Sequence, residues 1–144
     1  MKLEHILVPT DFSDHCQQAL DYAVALREKF PAQVTLLHAV EPFFGYGPEL
    51  VAPYGVFEAD RLSSAESRLK ELAAAFPGTS PAKAVCLSGK PWQAICDWAA
   101  DNSVDLIVMP THGFSGLQHL WLGSVAERVV QKASCPVLVV RSKS

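Results

Sequence analysis

A chain of 144 residues, 49% of them apolar, has room for one compact domain around a single core. Its formal net charge of −3, with no long Lys/Arg block, argues against nucleic acid as a partner. No apolar run approaches the ~20 residues needed to span a bilayer, and MKLEHILVPTDF is too short in its apolar part, and too soon acidic, for a signal peptide, so a cytoplasmic protein without membrane insertion is expected.

Strand and helix signals alternate along the chain. Ile6–Pro9 is a short apolar run closed by proline. Ser13 or Asp14 can cap a helix reaching about Phe30, with Cys16, Leu20, Ala23, Val24 and Phe30 on one face. Val34–Val40 reads as the second strand. Residues 42–55 contain Pro, Gly and four aromatics (Phe43, Phe44, Tyr46, Tyr54) and read as a long loop. Leu62, Ala65, Leu69, Leu72 and Phe76 step by three and four within a second helix over Phe57–Phe76, ended by Pro77-Gly78. Ala82–Leu87 is the third strand. Pro91 suits the first turn of a helix through Asp101. Asp105–Met109 is the fourth strand, Gly123–Ala133 the fourth helix, and Val137–Val140 the fifth strand. Strand runs without polar alternation are covered on both faces, so the expected fold is one α/β domain with a mostly parallel sheet.

In open parallel sheets, ligands bind beyond the carboxyl ends of strands where the strand order reverses. Two such ends look alike: VPTD (Val8–Asp11) and MPTH (Met109–His112). If strands one and four are neighbours, they flank one cleft. Gly113 lets backbone approach a ligand closely. Gly123-Ser124 opens a helix whose first amides are unpaired and partly positive, an anion site by geometry, and Ser124 adds a hydroxyl. Ordinary helix capping accounts for the same pair. Asp11 could accept hydrogen bonds from ribose hydroxyls or hold magnesium, and local capping of the first helix accounts for it equally. The pair Gly113 and Gly116 is too short a pattern to carry meaning, and Gly89-Lys90-Pro91 lacks the P-loop spacing.

The five histidines (His5, His15, His38, His112, His119) have no metal-ligand spacing. His38 reads as a satisfied core group; His112 is the one best placed near an anion, with a solvated loop histidine as its ordinary reading. Cys16, Cys86, Cys96 and Cys135 form no CxxC pair and read as buried free thiols. Trp92, Trp98 and Trp121 read as core or interface residues. No nucleophile–base pair follows from spacing.

The combination of ILVPTDFS, LLHAVEP, DLIVMPTHG-x9-GSVAERVV and CPVLVVR resembles the universal stress protein family over nearly the whole chain. The resemblance implies a single doubly wound α/β domain with a five-stranded parallel sheet in order 3-2-1-4-5 and helices on both faces. ATP-binding members carry G-x2-G-x9-G-[ST]. In register, Gly113 is the second glycine, Gly123 and Ser124 close the motif, and the first glycine falls on Pro110; Gly116 is out of register. The same resemblance puts Pro9, Thr10 and Asp11 at the first-strand turn, with the aspartate on ribose. Ala39 falls at adenine, and Ser124 and Val125 at phosphate. Met109, Pro110 and His112 form the fourth-strand turn. The implied cofactor is ATP or another adenine nucleotide, with or without Mg²⁺.

Two departures imply weaker binding. Pro110 has no N–H; if that amide served a phosphate, its loss costs roughly 1.5–3 kcal/mol, about ten- to a hundredfold in affinity. Phe114 stands where many relatives carry a basic residue, which leaves triphosphate charge to the helix start, His112, Lys90 and a metal ion. The family also pairs its last strand across a two-fold axis, so a homodimer through Val137–Val140 is expected, beside an unnamed protein partner. An adenine-nucleotide-binding stress-response module is the leading reading. A nucleotide-independent dimeric interaction protein is the alternative. A slow ATPase, with only Asp11 or His112 as a base, ranks last.

Overall fold

A computed structural model describes residues 1–42, 51–113 and 121–142. The expectations for Phe43, Phe44, Tyr46, Phe114, Gly116 and His119 lie outside the described residues. The elements run β1 (His5–Pro9), α1 (Cys16–Lys29), β2 (Gln33–Val40), α2 (Val51–Ala74), β3 (Lys83–Ser88), α3 (Pro91–Asp101), β4 (Leu106–Pro110), α4 (Ser124–Lys132) and β5 (Val137–Val140). The five strands form one parallel sheet in the order β3-β2-β1-β4-β5. The order reverses between β1 and β4, as the resemblance implies.

Burial on both faces explains why the strands read as unbroken apolar runs. Ile6 and Val8 of β1 pack on one face with Ala19, Leu20 and Ala23 of α1 and with Leu69 and Ala73 of α2. Leu7, between them, packs on the other with Ile95 and Ala99 of α3 and Ala126 and Val129 of α4. All three β1 side chains are fully buried.

Several boundaries shift by a residue or two from the sequence reading, and three differences bear on the site and its approach. Residues 51–55, expected in the loop, begin α2. Pro53 lies in the first turn of that helix, where a missing N–H breaks no intrahelical bond. The first helix begins at Cys16, with His15 as N-cap and no side-chain capping bond, so neither Ser13 nor Asp14 caps it. Instead the carbonyls of Ser13 and Asp14 accept from the amides of Cys16 and Gln17, at 3.1 and 3.2 Å. The fourth strand runs one residue later than expected and takes in Pro110, while Asp105 precedes it.

The two strand-closing prolines act together. The Thr10 amide donates to Leu37 of β2 and the Thr111 amide to Val140 of β5. Successive strand residues turn their amides to opposite sides, so the nitrogens of Pro9 and Pro110 both face the β1–β4 gap. Neither carries a hydrogen to bridge it. Pairing between β1 and β4 accordingly ends at Leu7 and Ile107. The outer pairs continue to Pro9 opposite Leu37 and to Pro110 opposite Val140. The sheet is therefore parted at its central seam, at the carboxyl end. The donor missing at Pro110 is in the first place one that would have closed the sheet.

At the opposite end the same two strands are clamped. The Asp105 carboxylate accepts from the amides of Glu4 and His5, at 2.8 and 2.9 Å. Those two bonds hold its pKa below the ordinary carboxylate value. A group depressed on folding adds stability that is complete above its unfolded pKa and is lost as pH falls through the folded one. Asp105→Asn should therefore lower the melting temperature at neutral pH and make its decline towards about pH 3 shallower. Thermal melts across that range check this; an equally steep decline would assign the acid sensitivity to other carboxylates.

Candidate functional site

A cleft of ≈1150 Å³ opens over the parted ends of β1 and β4, and every residue proposed from the sequence lines it. From the β1 turn come Pro9, Thr10 and Asp11, and from β2 Ala39. The β4 turn supplies Met109, Pro110, His112 and Gly113, and the start of α4 supplies Gly123, Ser124 and Val125. The fold thus collects segments from four places in the chain at the reversal of strand order.

Asp11 is fixed by its own turn. Its Oδ1 accepts from the Ser13 amide at 2.9 Å and from the Cys16 thiol at 3.3 Å. Burial, above all else, pushes the Cys16 pKa up, so the thiol keeps the proton that it donates. Local structuring of the β1–α1 turn is thus one role of Asp11, although α1 itself is not capped by it. The other oxygen faces Gly113: a Cβ built there would lie 2.2 Å from Asp11 Oδ2. Close approach of the two turns, not a left-handed backbone, is what favours glycine at 113. The next residue, Phe12, does take a left-handed backbone, with φ 66°. That is uncommon for a bulky side chain. Its amide donates to Thr10 Oγ1 at 3.0 Å. Its ring lies 4.5 Å from the His38 ring, and the Arg68 guanidinium sits 4.5 Å from its centroid.

His38 satisfies the sequence expectation in one respect, since its Nδ1 donates to the Thr10 carbonyl at 2.7 Å. It is only half-buried and lines the cleft, however. His112 differs. Its Nδ1 shares a 3.1 Å hydrogen bond with Thr111 Oγ1, while its Nε2 is buried with no partner among the described residues. An unsatisfied buried nitrogen costs about 1–3 kcal/mol, which a ligand oxygen would relieve.

The start of α4 is held by its backbone. The Gly123 amide donates to the Thr111 carbonyl at 2.7 Å, and a Cβ at Gly123 would come within 3.0 Å of that oxygen. Gly123 is the N-cap, and among the described residues no side-chain capping bond is made at this helix start. The capping explanation for Ser124 therefore fails: as the first helical residue it leaves the leading amides free of side-chain partners. Such a terminus favours an anion.

Sequence reasoning missed several residues of the cleft. Arg61 and Arg68 reach it from α2, Arg128 from α4, and Trp92 from α3 beside Lys90. The available signals were spacings: the two α2 arginines stand seven positions apart, and Arg128 four positions after Ser124. Each spacing keeps a pair on one helix face. The remaining tryptophans divide: Trp98 packs edge-on against His5 at 5.6 Å, whereas Trp121 is 85% exposed and belongs to no core. All four cysteines are free thiols, with Cys16 and Cys96 buried and Cys86 and Cys135 half-buried. Among the described residues no group of His, Cys, Asp or Glu is arranged to hold a metal, and no helix is long and apolar enough to cross a membrane.

Comparison with known proteins agrees with the fold. The family model for the universal stress protein family matches residues 2–141. A universal stress protein from Thermus aquaticus, encoded in the QAH/OAS sulfhydrylase 3′ region, is 35% identical, over 94% of this chain and 97% of its own. The solved structure of UspA from Lactobacillus plantarum superposes with a TM-score of 0.85 at 27% identity, covering 98% of this chain and 99% of that one. A universal stress protein solved in complex with cAMP superposes with a TM-score of 0.64 at 25% identity, covering 99% and 100%. With the model matched across nearly its whole length, the chain belongs to the universal stress protein family.

Proposed function

We propose that this protein is an adenine-nucleotide-binding regulatory module whose ligand occupies the cleft over the β1–β4 seam. The observation that carries this reading is the close approach of Gly113 to Asp11 Oδ2 beside an uncapped helix start and the unpartnered Nε2 of His112. One solved relative holds an adenine nucleotide, cAMP. Asp11 offers acceptor oxygens to sugar hydroxyls. The amides of Ser124 and Val125, the Ser124 hydroxyl and His112 Nε2 offer donors to phosphoryl oxygens. Ala39, at the end of β2, borders the space for the base. Mg²⁺, where present, would enter with the phosphates, because Mg²⁺ commonly relies on one or two carboxylates plus substrate oxygens. On this reading the protein binds and signals nucleotide state rather than turning it over: Asp11 Oδ1 is bonded within its own turn, and Asp11 and His112 serve as ligand-holding groups rather than as bases.

Nucleotide state would be read through a homodimer. β5 stands at the sheet edge with Val137, Leu138 and Val139 only half-buried. An apolar edge of this kind is usually covered.

The test is acid extraction of the purified protein followed by chromatography for adenine nucleotides, with calorimetric titration of MgATP. The expected result is released nucleotide, or saturable binding at millimolar concentration or below. A protein that yields none and binds none at that concentration would instead be a nucleotide-independent interaction module.

A further inference from the structure

A second cavity, of ≈600 Å³, opens between α1 and α2 on the side of the sheet that those two helices cover. Its size is that of a small-molecule site. Leu20 and Leu72 give it apolar walls. Thr10, Phe12, Cys16 and Arg68 line both this cavity and the cleft over the β1–β4 seam. The Phe12 ring is held at that boundary by its left-handed backbone and by the His38 ring beside it.

Three charged side chains line the second cavity: Arg68 and Glu71 from α2, and Asp14 from the turn before α1. None of them makes an ion pair among the described residues. Elsewhere on α2, neighbouring charges do pair: Arg61 with Glu58 at 3.2 Å and Lys70 with Glu66 at 3.0 Å. Arg68 and Glu71 stand as close in sequence as Arg61 and Glu58, yet stay apart. The Arg68 guanidinium lies instead 4.5 Å from the Phe12 centroid. A guanidinium resting on an aromatic face keeps its N–H edges for an acceptor. The cavity therefore combines a positioned cation, two carboxylates and an apolar wall, with the opposite charges not neutralising one another. A simple anion or a simple cation would meet a like charge beside its counter-charge. A ligand that carries both charges on neighbouring atoms, with an apolar remainder, matches all three features.

We propose that this cavity binds a free α-amino acid with an apolar side chain. The ligand carboxylate pairs with Arg68 and its ammonium with Glu71 and Asp14. Its side chain lies against Leu20, Leu72 and the Phe12 ring. The site is separate from the nucleotide reading, since Asp14, Leu20, Glu71 and Leu72 do not line the other cleft.

The experiment is calorimetric titration of the full chain with phenylalanine and leucine, and with two derivatives of phenylalanine that each lack one charge. N-acetylphenylalanine has no ammonium, and phenylalaninamide has no carboxylate. Both amino acids should bind saturably at millimolar concentration or below, and each derivative at least about fivefold more weakly than phenylalanine. The variants should reproduce this charge by charge. Asp14→Asn with Glu71→Gln should weaken phenylalanine about fivefold and should not weaken N-acetylphenylalanine. Arg68→Met should weaken phenylalanine by a similar factor and should not weaken phenylalaninamide. Retained binding of the matching derivative is also the check on folding. Absence of saturable binding of either amino acid to the unaltered protein at about 10 mM overturns the proposal. So does equal affinity for phenylalanine and its two derivatives, or an equal fall for all three in a variant. MgATP titrated into the same samples keeps the two readings apart. Its affinity should stay within about twofold in Asp14→Asn with Glu71→Gln, and its failure to bind the unaltered protein would overturn the nucleotide reading alone.

Discussion

Gly113→Ala is expected to weaken nucleotide binding by more than about a hundredfold, and to cost about 1–3 kcal/mol of stability. The added methyl would sit 2.2 Å from Asp11 Oδ2, far inside contact distance. The carboxylate can turn aside only by disturbing its own contacts. Its other oxygen is bonded to the Ser13 amide and the Cys16 thiol, and the following residue is already held at φ 66°. Either Asp11 gives up those bonds or the β4 turn retreats from β1. Both outcomes misplace the acceptor relative to the helix start, and displacement of a positioned group by about an ångström is costly. Calorimetric titration beside a thermal melt checks the two numbers separately. Retention of unaltered affinity by the variant would show that the closeness of the two turns has no bearing on the ligand.

The largest effect on stability is expected at the centre of the sheet. Ile107→Ala should destabilise the protein by about 2–5 kcal/mol, a large part of the 5–15 kcal/mol typical of a domain. Ile107 is fully buried in β4, opposite Leu7 and within the cluster formed with α3 and α4. Its β1 pairing is one of the two before the strands part, so a cavity there also loosens the seam below the cleft. Val130→Ala, on the outer face of α4 and 47% exposed, should change stability by no more than about 0.5 kcal/mol. Urea denaturation of both variants makes the comparison; equal losses would contradict the assignment of the core.

Much of the architecture is legible in the sequence because both local and periodic signals agree. The third helix, expected from Pro91 to about Asp101, runs over Pro91–Asp101, since Pro91 marks its first turn. The start of α2 is not legible in this way, because Pro53 and Gly55 resemble loop punctuation although the first lies in an initial turn. Apolar runs reveal parallel strands, but their lateral order came from resemblance to a family, not from periodicity. The site divides in the same way. Gly113, Gly123 and Ser124 are found by motif register, whereas the contact of Gly113 with Asp11 joins distant segments that no local pattern connects. Two prolines are plain to see at 9 and 110; that both nitrogens face one seam depends on which neighbour each strand bonds. Arg61, Arg68 and Arg128 were passed over because an exposed basic residue on a helix looks like a solvated face until the cleft beside it is known.

The central claim is that an adenine nucleotide sits over the β1–β4 seam. Amide chemical-shift mapping during titration with MgATP tests it most directly. Saturable shifts are expected at Thr10, Asp11, Gly113 and Gly123 to Val125, with His5, Asn102 and Asp105 at the opposite end of the sheet unmoved. No shifts at millimolar MgATP, or shifts concentrated at that opposite end, would contradict it.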